Sequence, residues 1–238
     1  MTRNRDSAAA FAIIAAAGSG ERLGAGGPKA LVEVAGRPML AWSLSALRSA
    51  SSIDGIVVAA PPGFEDAVAD LCEPGERVIA GGATRSDSVS AALGLIESDA
   101  ELVAIQDAAR PLVTAGLVDA LVAALAEDPD AAGVIAASPV PDTLKRAGEG
   151  RVIAETVDRS GLWAAQTPQV LRTEALRNAV DGSRNAATDE AMLVEAAGGR
   201  VLLHDPGAPN LKVTTPADLQ LADLLLSHQG RLRGLGDG

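Results

Sequence analysis

Residues 15–29 have the sequence Ala-Ala-Ala-Gly-Ser-Gly-Glu-Arg-Leu-Gly-Ala-Gly-Gly-Pro-Lys. The stretch follows an apolar run, Phe11 to Ala15, that is typical of a buried β-strand. It contains five glycines and ends on Lys29. Glycines let backbone N–H groups come close to a ligand, and successive N–H groups form a concavity that binds anions. Together with the charges of Arg22 and Lys29, this pattern predicts a phosphate-binding loop after the first strand.

The loop departs from two common phosphate-binding patterns. A Walker loop needs Gly-Lys-Ser/Thr, whereas the lysine here lies between a proline and an alanine. The dinucleotide fingerprint needs Gly-x-Gly-x-x-Gly, but after Gly18 and Gly20 the next glycine, Gly24, comes one residue too late. The second predicted strand also ends in prolines rather than in an acid. Instead, Gly-x-Gly-x-Arg followed by Pro-Lys resembles the nucleotidyltransferase signature of sugar-phosphate-activating enzymes.

Composition limits the possible partners. A chain of 238 residues allows one large α/β domain or two small ones, and with 2% aromatic residues the core must consist of aliphatic side chains. The formal net charge of −11 argues against nonspecific binding of nucleic acid or of acidic membranes. It does not exclude an anionic substrate, because screening over about 8 Å lets a local cluster of cations outweigh distant charges.

The single cysteine, Cys72, excludes an internal disulfide and a cysteine-based metal site. Arg3 and Arg5 before an alanine-rich run weakly resemble a secretory signal, but cleavage there would remove the first strand. No apolar run approaches the ~20 residues of a membrane span. We therefore expect a cytoplasmic protein that does not enter a membrane.

Strands and helices are predicted to alternate along the chain. The later strands are predicted at Gly55–Ala60, Arg77–Ala80, Leu102–Gln106, Gly133–Ala137 and Val201–His204. Helices between such strands indicate an α/β fold with three layers: a mostly parallel, twisted, Rossmann-like sheet with helices on both faces. Ligands bind at the carboxyl ends of such strands. The first loop, a second glycine-containing loop at residues 81–85, and Asp107 all lie there.

The alternation breaks at residues 138–159, where prolines and glycines separate short mixed segments and predict a projecting β-hairpin arm. A short strand is predicted at Leu162–Ala165, and a last helix is predicted to end at Leu226. We therefore expect a single domain over residues 8–226, with the arm as part of it and a flexible tail at residues 227–238.

Two groups of residues at the predicted ligand edge are open to two interpretations. Asp107 faces the phosphate loop and could bind Mg²⁺, or it could cap a turn and pair with Arg110. The residues from Gly81 to Ser88 could cap the next helix through Thr84 and Asp87, and two adjacent glycines could also let a flat base approach. By default, the charged segments around residues 142–146, 158–159, 188–190 and 210–214 would be ordinary surface groups.

Taken together, these segments resemble the 2-C-methyl-D-erythritol 4-phosphate cytidylyltransferase family of the non-mevalonate isoprenoid pathway. The similarity runs from about Phe11 to Leu226. It rests on residues 16–22, Pro28-Lys29, residues 81–89, 107–111, 142–145, Asp158-Arg159, residues 161–163, 166–169, 188–190 and 212–214. The first motif is shared by many nucleotidyltransferases, whereas the ordered set is much more specific.

The resemblance implies roles for particular residues. It implies that CTP is bound by Ala16, Ala17, Gly18, Gly20, Arg22 and Lys29, with cytosine near Gly82, Ala83 and Ser88, and Mg²⁺ near Asp107. It implies that the acceptor phosphate is held by Arg110, Thr143, Arg159, Thr167, Thr188 and Lys212, with Arg22, Lys29 and Lys212 as catalytic cations. It also implies a homodimer whose arms reach the neighbour's site. Ala15, where the family usually has proline, and Ala83, where an acid is common, depart from the pattern.

The chemistry can be stated without the family. A phosphate monoester is largely dianionic near neutral pH, so it can attack the α-phosphorus of CTP without a general base. The obstacle is repulsion between anions, and each cation at 4 Å in an effective dielectric near 20 offsets about 4 kcal/mol gross. Three alternatives stay open: a cytidylyltransferase for another polyol phosphate such as ribitol 5-phosphate, a non-catalytic nucleotide-binding regulator, and a sugar-nucleotide enzyme that uses another base.

Overall fold

The computed structural model describes residues 9–18, 20, 23–24, 26–97, 99–182 and 188–234, in which strands and helices alternate. The strands are β1 Ala10–Ala15, β2 Glu33–Val34, β3 Arg37–Pro38, β4 Ile53–Ala60, β5 Arg77–Ala80, β6 Leu102–Asp107, β7 Gly133–Pro139, β8 Leu144–Ala147, β9 Ile153–Val157, β10 Trp163–Arg172 and β11 Val201–His204. The α-helices are α1 Met39–Ser49, α2 Glu65–Ala69, α3 Arg85–Leu93, α4 Ala115–Glu127, α5 Thr173–Gly182, α6 Glu190–Ala196 and α7 Pro216–Gly234.

The central sheet has seven strands in the order β11-β7-β10-β6-β1-β4-β5. All neighbours pair in parallel except β10, which is antiparallel to both β6 and β7. Alternate residues of β1 point to opposite faces: Ile14 packs in a core with α1 and α4, and Ile13 packs in a core with α3, α5 and α6. The predicted three-layer, mostly parallel fold is therefore confirmed.

Strand β10 is longer than predicted. The sequence indicated a short strand at Leu162–Ala165, but β10 continues to Arg172 and inserts between β6 and β7. Pro168 and its polar neighbours indicated a break, because proline is rare inside a central strand. The structure accommodates the proline where the register with β7 shifts, between Ala165 and Gln169. As a result, Thr167 lies beside the end of β6.

The predicted hairpin is present as β8 and β9, which pair antiparallel from Leu144↔Val157 onward. Near its tip, Val152 is 68% exposed and Ile153 is 61% exposed. The predicted end of the last helix at Leu226 is wrong, because α7 extends to Gly234. Residues 235–238 of the predicted tail lie outside the described residues. No helix in the described part of the chain is both long enough and apolar enough to cross a membrane.

Candidate active site

A cavity of about 620 Å³ lies at the carboxyl ends of β1 and β6. Its walls include every described residue that we predicted to bind nucleotide, together with the two predicted catalytic lysines. These are Ala16, Ala17, Gly18, Gly20, Lys29, Gly82, Ala83, Ser88, Asp107 and Lys212. Arg22, the third predicted catalytic cation, lies outside the described residues. The structure therefore brings together groups that the sequence spreads over almost 200 positions.

The first loop folds back on itself so that Lys29 lies against Gly20. Gly20 has a φ of +74°, and a Cβ added there would lie 2.9 Å from the Cβ of Lys29. The N–H of Lys29 donates to the carbonyl of Gly18 (3.3 Å), and the N–H of Leu23 donates to that of Gly20 (2.8 Å). Leu23 is buried in a small core that also contains Val213. Gly20 is therefore required by both the left-handed backbone and the close approach.

The second loop ends in a helix cap. Thr84 and Asp87 form a capping box at the start of α3, as one of the two interpretations predicted. The neighbouring glycines are required by packing within the protein. A Cβ at Gly81 would lie 2.3 Å from the Cβ of Ala17, and one at Gly82 would lie 2.4 Å from the Cβ of Asp87. The second loop therefore packs closely against the first at Gly81 and Ala17, and this contact fixes one wall of the cavity.

Ser88 fixes the same loop from inside. Its hydroxyl accepts from the N–H of Gly82 (3.0 Å) and donates to the carbonyl of Thr84 (2.9 Å). These two bonds account for its donor and for one of its acceptor lone pairs. Ser88 therefore holds the conformation of residues 82–84 at the cavity.

Four charged side chains alternate in sign beside the cavity. Asp107 Oδ1 accepts from Arg85 Nε (2.8 Å), and its Oδ2 accepts from Lys212 Nζ (2.6 Å). The other end of the Arg85 guanidinium donates through Nη1 to Glu190 Oε2 (2.5 Å). The interpretation in which Asp107 pairs with Arg110 is therefore wrong, because its partners are Arg85 and Lys212.

This arrangement sets the ionisation of both acids. Burial alone would raise the pKa of Asp107, but the positive charges of Arg85 and Lys212 lower that pKa to about 2. Burial raises the pKa of Glu190, although the charge of Arg85 opposes the shift. The pKa of Arg85 is raised by the same two carboxylates despite its burial. Asp107 is therefore ionised near neutral pH.

The segment that carries Lys212 is fixed on its carboxyl-terminal side. The N–H of Val213 donates to the carbonyl of Ala109 (2.8 Å). Asp218 Oδ2 accepts from the hydroxyl of Thr214 (2.7 Å) and from the N–H groups of Thr214 (2.9 Å) and Thr215 (2.8 Å). The bonds from Thr214 and Thr215 lower the pKa of Asp218 to about 2. Lys212 is thus presented to the cavity by a braced segment.

The predicted acceptor-binding residues other than Lys212 are not part of this cavity. Arg110 is buried and donates to the carbonyl of Asn210 (2.7 Å), and the Thr167 hydroxyl accepts from the N–H of Asp107 (3.0 Å). Thr188 is exposed just before α6, and Thr143 and Arg159 are exposed at the two ends of the arm. Within the described part of one chain, none of these five lines the cavity wall.

Sequence reasoning missed Arg85 and Glu190. Both residues lie inside motifs on which the family resemblance rests, at residues 81–89 and 188–190, but the resemblance implied no role for either. One signal was available: Arg85 opens α3, and a cation at a helix amino terminus is unfavourable unless an anion compensates it. No comparable signal marked Glu190, because an acid in the first turn of a helix is ordinary.

A divalent metal would find one protein carboxylate at this site. No three His, Cys, Asp or Glu side chains among the described residues lie close enough together to form a metal site. Mg²⁺ commonly uses one or two carboxylates together with substrate phosphates and water. The ionised carboxylate of Asp107 on the cavity wall fits that pattern through the lone pairs that its bonds to Arg85 and Lys212 leave open.

Comparisons with known proteins agree over most of the chain. The family model for 2-C-methyl-D-erythritol 4-phosphate cytidylyltransferase matches residues 10–228. Proteins of that name from Frankia casuarinae and Dechloromonas aromatica are 48% and 44% identical to the chain. The matches cover 91% of this chain in both cases, and 81% and 96% of the two relatives.

A solved structure supports the same assignment. The crystal structure of the cytidylyltransferase of that name from Thermus thermophilus superposes with a TM-score of 0.74 at 36% identity. The superposition covers 91% of this chain and 98% of that one. Sequence, family model and fold are therefore consistent. The chain belongs to the 2-C-methyl-D-erythritol 4-phosphate cytidylyltransferase family.

Proposed function

We propose that this chain transfers the cytidylyl group of CTP to 2-C-methyl-D-erythritol 4-phosphate and releases pyrophosphate. Membership of the family supports the substrates. The observation that carries the mechanism is the cavity itself, where two glycine loops, two lysines and one carboxylate converge at the carboxyl ends of the strands. A triphosphate and a second phosphate need that combination of backbone donors and cations.

In the proposed reaction, an oxygen of the acceptor phosphate attacks the α-phosphorus of CTP. A new P–O bond forms as the bond to the β-phosphate oxygen breaks, and that electron pair leaves with pyrophosphate. The acceptor needs no general base, because its phosphate is already ionised. The chain contributes by positioning the reactants in line and by stabilising negative charge.

We assign the leaving side of the reaction to the first loop. Its backbone N–H groups and Lys29 are suited to the β- and γ-phosphates, and Arg22 would add a further charge. Lys29 lies beside Gly20 because the left-handed glycine turns the loop back. Charge developing on pyrophosphate would therefore meet a cation carried by a loop that is already folded back.

We assign the attacking side to Lys212. Its ammonium group is 2.6 Å from Asp107 Oδ2, which orients it, and Lys29 adds a further positive charge to the cavity wall. Asp107 would be the protein ligand of Mg²⁺, with the triphosphate supplying other oxygens. When bound, Mg²⁺ would offset phosphate charge and stabilise the departing pyrophosphate.

We further propose that the active form is a homodimer joined through the arms. Thr143 and Arg159 are exposed at the arm and absent from the cavity wall of their own chain, so they could serve an acceptor in the neighbouring subunit. The exposed apolar side chains Val152 and Ile153 suit burial against a second copy. Arg110, Thr167 and Thr188 would complete the acceptor site, and a cytoplasmic location is part of the same proposal.

Incubation with CTP, Mg²⁺ and the acceptor tests the function directly. Phosphorus-31 NMR should show the diphosphate diester product and pyrophosphate in equal amounts. Parallel reactions with ribitol 5-phosphate, and with each of the other nucleoside triphosphates, test the acceptor and the base. Absence of product from methylerythritol phosphate while another acceptor reacts would refute the proposed specificity.

A further inference from the structure

Glu190 is an acid with little access to solvent. It is only 1% exposed, although it belongs to the first turn of α6. Its Oε2 accepts from Arg85, whereas Oε1 has no hydrogen-bond partner among the described groups. A buried carboxylate with an unsatisfied oxygen destabilises a fold unless its ion pair compensates.

Helix α6 does not need Glu190 as its cap. Asp189 already serves as the N-cap and accepts from the N–H of Met192 (2.9 Å). Asp189 is held in turn by the amide of Gln169 (3.0 Å), which comes from the inserted strand β10. The helix start is therefore fixed by other residues, and the buried position of Glu190 requires another explanation.

The explanation lies in Arg85, which has two carboxylate partners on different nitrogens. Nε donates to Asp107, and Nη1 donates to Glu190. A guanidinium is planar and rigid, so fixing one end fixes the direction in which the other end donates. With its far end held, Arg85 can set the plane of the Asp107 carboxylate, whose second oxygen binds Lys212.

We propose that Glu190 is a positioning residue that acts through Arg85 to orient Asp107 and Lys212 for cytidylyl transfer. The inference rests on the proposed function and adds a role for a side chain outside the cavity wall. Without Glu190, Arg85 can rotate about its remaining bond to Asp107, and Asp107 and Lys212 can follow. The first loop is held by its own backbone hydrogen bonds, and residues 82–84 are held by Ser88. We therefore expect the effect to fall on turnover more than on binding of CTP.

The test is Glu190→Gln, which keeps the shape of the side chain and removes its charge. Glu76→Gln is the matched control, because Glu76 is also a largely buried acid paired with an arginine, Arg48 (2.6 Å), away from the cavity. After the wild type is shown to form product, we expect Glu190→Gln to lower kcat about tenfold, as loss of an orienting partner typically does. Its KM for CTP should change less than twofold, and the control should keep wild-type kcat.

A double-mutant cycle separates positioning from folding. In an Arg85→Met background, Glu190→Gln should produce no further loss of kcat, because the two residues act in series. Wild-type kcat for Glu190→Gln, or an equal loss in both backgrounds, overturns the inference while leaving the proposed function intact. If Glu190→Gln does not fold, Arg85→Lys serves as the test of the positioning role. This variant keeps the charge but cannot bridge both carboxylates, and a normal kcat would again overturn the inference.

Discussion

Replacing Lys212 by alanine removes the cation that we assign to the attacking side of the reaction. In the free protein, Lys212 contacts Asp107, which keeps Arg85 as a second partner. The Lys212 side chain is 40% exposed, so its loss leaves no buried hole. We therefore expect Lys212→Ala to fold with a melting temperature near that of the wild type.

The expected effect on catalysis is large. A cation about 4 Å from a phosphate oxygen contributes about 4 kcal/mol gross at an effective dielectric near 20. Removal of a preorganised donor from a transition state produces losses of about the same size. We expect Lys212→Ala to lose about 3–5 kcal/mol of transition-state stabilisation, which is roughly two to four orders of magnitude in turnover. Lys29→Ala should lose a similar amount on the leaving side.

The assay is pyrophosphate release with saturating CTP, Mg²⁺ and methylerythritol phosphate, with product formation checked by phosphorus-31 NMR. Arg85 and Lys212 lower the pKa of Asp107 to about 2 in the wild type, and in Lys212→Ala the charge of Arg85 still lowers it. Asp107 therefore stays ionised in both proteins, and the loss should not vary between pH 6.5 and 8.5. Arg200→Ala is the control, because Arg200 pairs with Asp128 at the amino end of β11, opposite the cavity. Turnover by folded Lys212→Ala within tenfold of the wild type would refute the mechanism.

Three further predictions concern the packing of Gly81, the pKa of Asp218 and the arm. In chemical unfolding, Gly81→Ala should destabilise the fold by about 1–3 kcal/mol, because the added Cβ overpacks against the first loop. Gly116→Ala should stabilise the fold by about 0.5–1 kcal/mol, because a Cβ there meets open space in α4. Asp218 should titrate near 2 by carbon-13 NMR. Its lowered pKa adds stability to the fold above pH 4, and this stability is lost as the pH falls toward 2. A measured pKa near 3.8 would contradict the hydrogen bonds from Thr214. If the arms act across a dimer, mixing inactive Lys212→Ala and Arg159→Ala subunits should restore about a quarter of wild-type activity. Half of the randomly formed dimers are then mixed, and each mixed dimer holds one intact site of two. No recovery after confirmed subunit exchange would argue against arms that act across a dimer.

Much of the fold follows from local patterns in the sequence. Strand β5 and strand β11 have the predicted bounds. Alternation of strands with helices implies a parallel sheet, because a crossover must cover one of its faces. The carboxyl-end rule then placed the two glycine loops and Asp107 on one edge before any distance was known.

The sequence could not specify contacts between distant segments. Local rules treat proline as a break and predict only a short strand at Leu162–Ala165. Pairing with β6 and β7 on both sides carries β10 through Pro168. The homodimer, the bound metal and the cytoplasmic location remain predictions.

The sequence alone determined the glycine loops and the order of strands along the chain, because each depends on neighbours along the chain. The role of Lys212 came only from the family resemblance. Only the tertiary structure determined that Arg85 lies between Asp107 and Glu190, residues that are 22 and 105 positions away from it. Charge pairing depends on distances in space, and the packing of α3, β6 and α6 around one sheet edge sets those distances. The local periodicity of the sequence does not specify these distances.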